Sequence, residues 1–200
     1  MTHLPTRATL VAVALLAHGV TPAPCQWTAG AGVRAPRFSG AAEEPGTGRS
    51  LRPYRPTMWA LGIDRAGRRV GVGLRVHYAS SSLALEGQDA LVAVKDAISV
   101  YGVDPELSVR VTTLGPAGVV RAFAGPLLEV WELPEEGSNV RVGLSAALGL
   151  EVPFGGRWAG SARIGAAVMP SPFGREDLDP AFEPRTLWRR EVAAELRYRL

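Results

Sequence analysis

The chain has 200 residues, 46% hydrophobic and 20% charged, with a mean hydropathy of +0.07. Those proportions suit one ordinary domain and exclude a disordered tail or a collagen-like repeat. Twenty-two basic against nineteen acidic residues leave +3, and the basic residues, all Arg apart from Lys95, are scattered along the chain, which excludes the clustered stripe of a nucleic-acid binder.

The first 25 residues read as a signal peptide. Arg7 precedes an apolar run from Ala8 to Ala17, long enough for a secretory h-region and short of the roughly 20 residues of a spanning helix. Ala23 and Cys25 supply the small residues of a signal-peptidase site, which predicts a cut before Gln26 and an exported chain of residues 26–200. The rival reading lipidates Cys25, but Pro24 directly before it and no Leu three residues back fit that signal poorly. A lone Cys25 permits no internal disulfide. With His3, His18 and His77 the only histidines, no cluster has metal-site spacing, so neither a metal nor another cofactor is expected.

Beyond residue 26 no apolar run is long enough for a helical membrane span, and the prevailing pattern is a period of two. The strands expected in chain order begin with 27–38, whose polar face carries Arg34, and 54–64, which ends at Asp64. In 69–78, Val70, Val72, Leu74, Val76 and Tyr78 stand opposite Arg75 and His77. Segment 97–113 contributes Asp104, Glu106 and Arg110. In 118–131, Val120, Ala122, Ala124, Leu128 and Val130 stand opposite Arg121 and Glu129. The clearest case runs from Val140 to Val152, where seven apolar positions alternate without a break against a face bearing Arg141 and Glu151. Segment 157–168 opposes Trp158, Ile164 and Val168 to Arg163. The last strand sets Val192, Ala194, Leu196, Tyr198 and Leu200 opposite Glu195 and Arg197. Several of these segments exceed the ~9–11 residues of a tilted membrane strand.

The connections take turns between short and long. Asp64–Arg68, Leu114–Gly118 and Pro153–Gly156 are short and rich in turn formers. Segments 39–53, 79–96, 132–137 and 170–185 are the longer ones, three of them beyond the usual ~2–5-residue hairpin loop. Eight strands joined this way make an all-β, antiparallel up-and-down barrel with both chain ends on the short-turn side. Lipid requires every backbone polar group to be paired internally, so the barrel closes through its first and last strands.

On these features residues 27–200 resemble the small eight-stranded outer-membrane β-barrel proteins, typified by the OmpA transmembrane domain and OmpX. The resemblance implies an exported protein of the bacterial outer membrane, with outer-membrane lipid around it and the insertion machinery as its partner during assembly. Leu196, Tyr198 and Leu200 stand where the family carries its C-terminal assembly signal. The final Leu200 departs from the family's usual Phe, while Tyr198 keeps the aromatic two residues earlier. The last strand ends at Leu200, so no periplasmic domain is expected.

The two faces then divide the chemistry. Trp59, Trp131, Trp158, Trp188 and Tyr198 lie near strand ends, where interfacial girdles place aromatic residues. An interior as narrow as that of eight strands fits side chains and little else, so Arg34, Asp64, Arg75, Asp104, Glu106, Arg110, Arg121, Glu129, Arg141, Glu151, Arg163, Glu195 and Arg197 are expected to fill it by mutual pairing. That excludes a general porin and leaves a structural or surface-interaction barrel whose loops meet any extracellular ligand. Two alternatives stay open. One is a soluble, lipocalin-like periplasmic barrel enclosing an apolar ligand. The other is a barrel enzyme acting on outer-membrane lipid, which would have to use His77. Ser80 has the wrong parity to share a face with His77, so no catalytic residue is expected. Acidic residues 135–136 and 176–179 read as solvated loop charge before divalent-cation ligands.

Overall fold

The computed structural model describes residues 26–87, 91–115, 118–133 and 137–200. The expected signal segment and the acidic pair 135–136 lie outside them. The ten strands are β1 (Gln26–Phe38), β2 (Ala42–Glu44), β3 (Arg49–Ala66), β4 (Val70–Glu86), β5 (Leu91–Thr113), β6 (Val119–Leu133), β7 (Gly137–Gly155), β8 (Trp158–Met169), β9 (Glu183–Pro184) and β10 (Leu187–Arg199). Eight of them form a closed antiparallel barrel, ordered β1, β3, β4, β5, β6, β7, β8, β10 and back to β1. Closure is made by β1, which pairs with β3 from Gln26↔Ala66 to Arg34↔Met58 and with β10 from Thr28↔Arg199 to Phe38↔Arg189. The first and last strands therefore seal the barrel, as the sequence pattern predicts, and the Leu200 amide donates to the Trp27 carbonyl at 2.9 Å.

Strand boundaries on the short-turn side follow the expected punctuation. At the β7–β8 connection Gly156 takes φ +51°, a left-handed conformation that other residues rarely adopt. At the opposite end the barrel rises further than expected. Segment 79–96 is a continuation of β4 and β5 that leaves only residues 87–90 to connect them, and β3 begins at Arg49, well before residue 54. The reason lies in two irregularities, one extra residue on β3 between Tyr54 and Thr57 and two extra residues on β5 between Val94 and Ile98, opposite Ser81 and Leu83 of β4. A single inserted residue reverses the parity of all that follows, and a longer insertion breaks the alternation locally, so a period-two reading halts there although the strand goes on.

The long connections are folded as well. β2 pairs with β3 on one side and β9 on the other, extending the sheet over the mouth of the barrel. Beneath this cap sits the apolar core. Phe38, Met58, Ile98, Leu127, Trp131 and Leu187 point inward from the barrel, and Ala41, Phe173, Leu178 and Phe182 come down from the long connections.

Candidate functional site

Alternation assigns one face of each barrel strand to the interior and the other to the outer wall. The outer wall is apolar and open, with Val142, Leu144 and Ile164 between 62% and 65% exposed. A soluble barrel with an apolar lumen would turn these same residues inward, so the disposition of the two faces is the reverse of the lipocalin-like alternative. No helix among the described residues is long and apolar enough to cross a membrane.

The interior below the cap is filled with charge, arranged in three tiers. Nearest the short turns, Arg197 of β10 hydrogen-bonds both Asp64 of β3 and Glu151 of β7. In the middle tier Arg75 and Arg163 both reach Glu106, each at 3.0 Å, and the Arg75 Nε lies 3.3 Å from Glu195. The Arg163 guanidinium also stacks 3.6 Å over the Phe123 ring, which shields its cationic face with an aromatic one. In the upper tier Arg34 donates to Asp104 at 2.8 Å and lies 3.6 Å from Glu191, while Arg189 pairs with Glu129 and, at 3.1 Å, with Glu191. His77 stands between two carboxylates, with Nε2 3.1 Å from Glu129 and Nδ1 3.5 Å from Asp104.

Most of these pairs link strands that are not neighbours in the barrel, so each one ties opposite parts of the wall together. Removing a charge from water costs several kcal/mol, and only close pairing with further hydrogen bonds offsets that. Glycine makes the upper tier possible. A Cβ on Gly102 would stand 2.2 Å from the His77 ring, so the imidazole can lie across β5 only because residue 102 has no side chain.

Ten of the thirteen charged residues expected inside meet a partner of opposite charge there. Three do not. Arg110 and Arg121 are direct cross-strand partners near the short turns, and Arg121 points its guanidinium at the Gly67 carbonyl, 3.4 Å away. Arg141 sits at the level of the cap, where it donates to the Ser171 and Pro172 carbonyls, the latter at 3.2 Å, and to the carbonyl of its neighbour Val140 at 3.3 Å. It anchors the 170–186 connection and takes no part in the carboxylate network. Asp177, from the acidic segment read as solvated, also holds this connection, accepting from Asn139 at 3.0 Å.

Two members of the network, Arg189 and Glu191, were not among the expected residues; His77, read on the same face as Arg75, joins it between two carboxylates. Arg189 and Glu191 share the parity of Glu195 and Arg197 on β10, so extending that alternation four residues toward the loop end finds them.

The aromatic residues divide by the same rule. Trp59, Trp158, Trp188 and Tyr198 lie on the outer wall, the second and last of these in edge contact at 4.8 Å. Tyr78, read on the apolar face of its strand, joins them on the outer wall together with the unforeseen Tyr101, 5.0 Å away. Trp131 is the correction. It is completely buried and packs edge-on against Phe38 at 5.8 Å, because it shares the parity of Glu129 and must point inward. Leu196, Tyr198 and Leu200 all face outward along the end of the chain.

A closed eight-stranded barrel with an apolar wall and a charged interior is the fold of the small outer-membrane β-barrel proteins. Neisserial surface protein A shares it, with a TM-score of 0.57 at 9% identity over 87% of this chain and 97% of that one. The outer membrane protease OmpT from Escherichia coli aligns over 92% of this chain and 99% of its own with a TM-score of 0.47 at 8% identity. Ail, the attachment invasion locus protein of Yersinia pestis, aligns over 87% and 99% with a TM-score of 0.44 at 12% identity. No family model and no curated protein sequence matches the chain.

Proposed function

We propose that this chain is an integral barrel of the bacterial outer membrane with a structural or surface-interaction role, its lumen closed to solutes and its folded long-connection end facing outward. The observation that carries this reading is the disposition of the two faces: apolar side chains exposed all round the wall, and buried Arg–carboxylate pairs across the lumen. Hydrocarbon is the solvent that suits such a wall, and a closed barrel is the β-structure that leaves no unpaired edge in it.

The interior argues for closure and against catalysis. Long side chains from opposite strands meet at hydrogen-bond distance through three tiers, and the apolar core with its cap covers the mouth above them. His77, the residue a lipid-acting enzyme would need, is buried with both ring nitrogens facing carboxylates. Binding then falls to the cap built from residues 39–48 and 170–186 and to the β4–β5 extension.

The test is fractionation of cells producing the full chain, followed by electrophoresis with and without heating. The protein is expected in the outer-membrane fraction, and its unheated form should migrate apart from the boiled one. Recovery as a soluble protein without detergent would overturn the reading.

A further inference from the structure

Arg37 of β1 and Arg190 of β10 are direct cross-strand partners on the outer wall. Their neighbours Phe38 and Arg189 are buried inside, whereas these two side chains are exposed on the face that carries Trp188. Arg37 donates one hydrogen bond, to the Pro36 carbonyl at 2.9 Å. Among the described residues no carboxylate lies within ion-pair distance of either guanidinium. Like charges placed directly opposite each other destabilise a sheet, and an anion from outside the chain bound between these two exposed guanidinium groups would relieve that repulsion.

The wall beside the pair is hollow. A groove of about 720 Å³ bordered by Arg37 and Arg190 runs between Ile164, Leu148 and Val192 over a floor that includes Ala146 and Ala166. A second hollow of about 560 Å³ shares those two alanines and reaches Trp188. Together they make a two-lobed apolar depression with two cations and an indole at its loop-side border. Guanidinium forks match phosphate oxygens in geometry as well as charge, and cations on a barrel wall are tolerated near the interface, where water and headgroups hydrate them.

We infer that Arg37 and Arg190 bind the phosphate of a phosphorylated membrane lipid whose acyl chains lie in this depression. The inference rests on the membrane reading above and adds a specific lipid site to it. The phosphate supplies the missing counter-charge, and the small residues of the floor let acyl chains approach the sheet.

Native mass spectrometry of the full chain in a nonionic detergent, supplied with phosphatidic acid or with diacylglycerol of the same acyl chains, tests it. Phosphatidic acid should be retained as an adduct and diacylglycerol should not. The R37Q/R190Q double variant should weaken retention by roughly tenfold or more, as loss of charge-assisted hydrogen bonds implies. A166L, which fills the floor, should weaken it while both arginines remain.

Equal retention of the two lipids, or unchanged retention in R37Q/R190Q, would overturn the site, and so would inorganic phosphate competing fully at millimolar concentration. The heat-dependent gel shift is read on the same samples. A wild-type protein that shows the shift but retains no phosphatidic acid refutes the lipid site alone. One recovered soluble without detergent refutes the membrane reading with it.

Discussion

Glu129 of β6 and Arg189 of β10 form an ion pair across the lumen with their side chains at 0% and 1% exposure. Two residues further along β6, Trp131 points into the apolar core. The interior therefore changes from ionic to hydrocarbon within one step of the alternation, and Glu129 sits at the boundary with His77 and Arg189 both depending on it.

Glu129→Ala should be among the most damaging single changes. It leaves the buried Arg189 with Glu191 alone and removes one of the two carboxylates of His77, and breaking a buried pair by deleting one partner costs about 3–5 kcal/mol. Urea unfolding of the barrel in lipid vesicles measures it. A loss under about 1 kcal/mol, the size of an exposed pair, would mean that the network is solvated.

Gly102→Ala tests the close approach beneath His77. The new methyl group would occupy the space of the imidazole ring, and overpacking of this kind costs about 1–3 kcal/mol. His77→Ala made together with Gly102→Ala should recover part of that loss in a double-mutant cycle, since the clash disappears with the ring. Strict additivity would show that the two residues are not in contact.

The cap should loosen when its anchors go. Arg141→Ala removes the donor to the Ser171 and Pro172 carbonyls, and Phe173→Ala empties a buried position at a cost of about 3–5 kcal/mol if the cavity does not collapse. Arg175 is exposed in the same connection, so trypsin cleavage after it reports the loosening. Each variant should be cut faster than the wild type while the barrel keeps its heat-dependent gel shift. Unchanged cleavage rates would mean that the connection is already open.

Depth in the membrane can be read from the outer wall. Ile164→Arg places a cation midway along β8 on the exposed wall, and near the bilayer midplane this costs about 2–4 kcal/mol. Phe154→Arg, beside the β7–β8 turn, should cost only about 0–1 kcal/mol because the interface hydrates the charge. Refolding yields and unfolding midpoints in vesicles separate the two, and equal effects would contradict a lipid-facing wall.

Much of this architecture is legible in the amino-acid sequence, because alternation carries both the strand and the face. Val140 to Val152 shows the principle without interruption, and ten of the thirteen charged residues read as interior find opposite charge there. The same rule, carried one turn of the alternation further, assigns Trp131 to the interior with Glu129 and adds Arg189 and Glu191 to Glu195 and Arg197. What the pattern hides are the one-residue bulge at Tyr54/Thr57, where parity reverses, and the two extra residues of β5 opposite Ser81/Leu83, where the alternation breaks while the strands go on. It also hides the apolar core under the cap, since Phe173, Leu178 and Phe182 lie in a segment with no periodicity and acquire their role only through tertiary contact.

Ion conductance across a planar bilayer tests the closed interior most directly. With three tiers of paired side chains and an apolar core in series along the lumen, the purified full-length protein should insert and show no large, stable channel. Steady channels of porin-like conductance would contradict the account, because they require a continuous water column where Arg34, Arg75, Arg163, Arg189 and Arg197 meet their carboxylates.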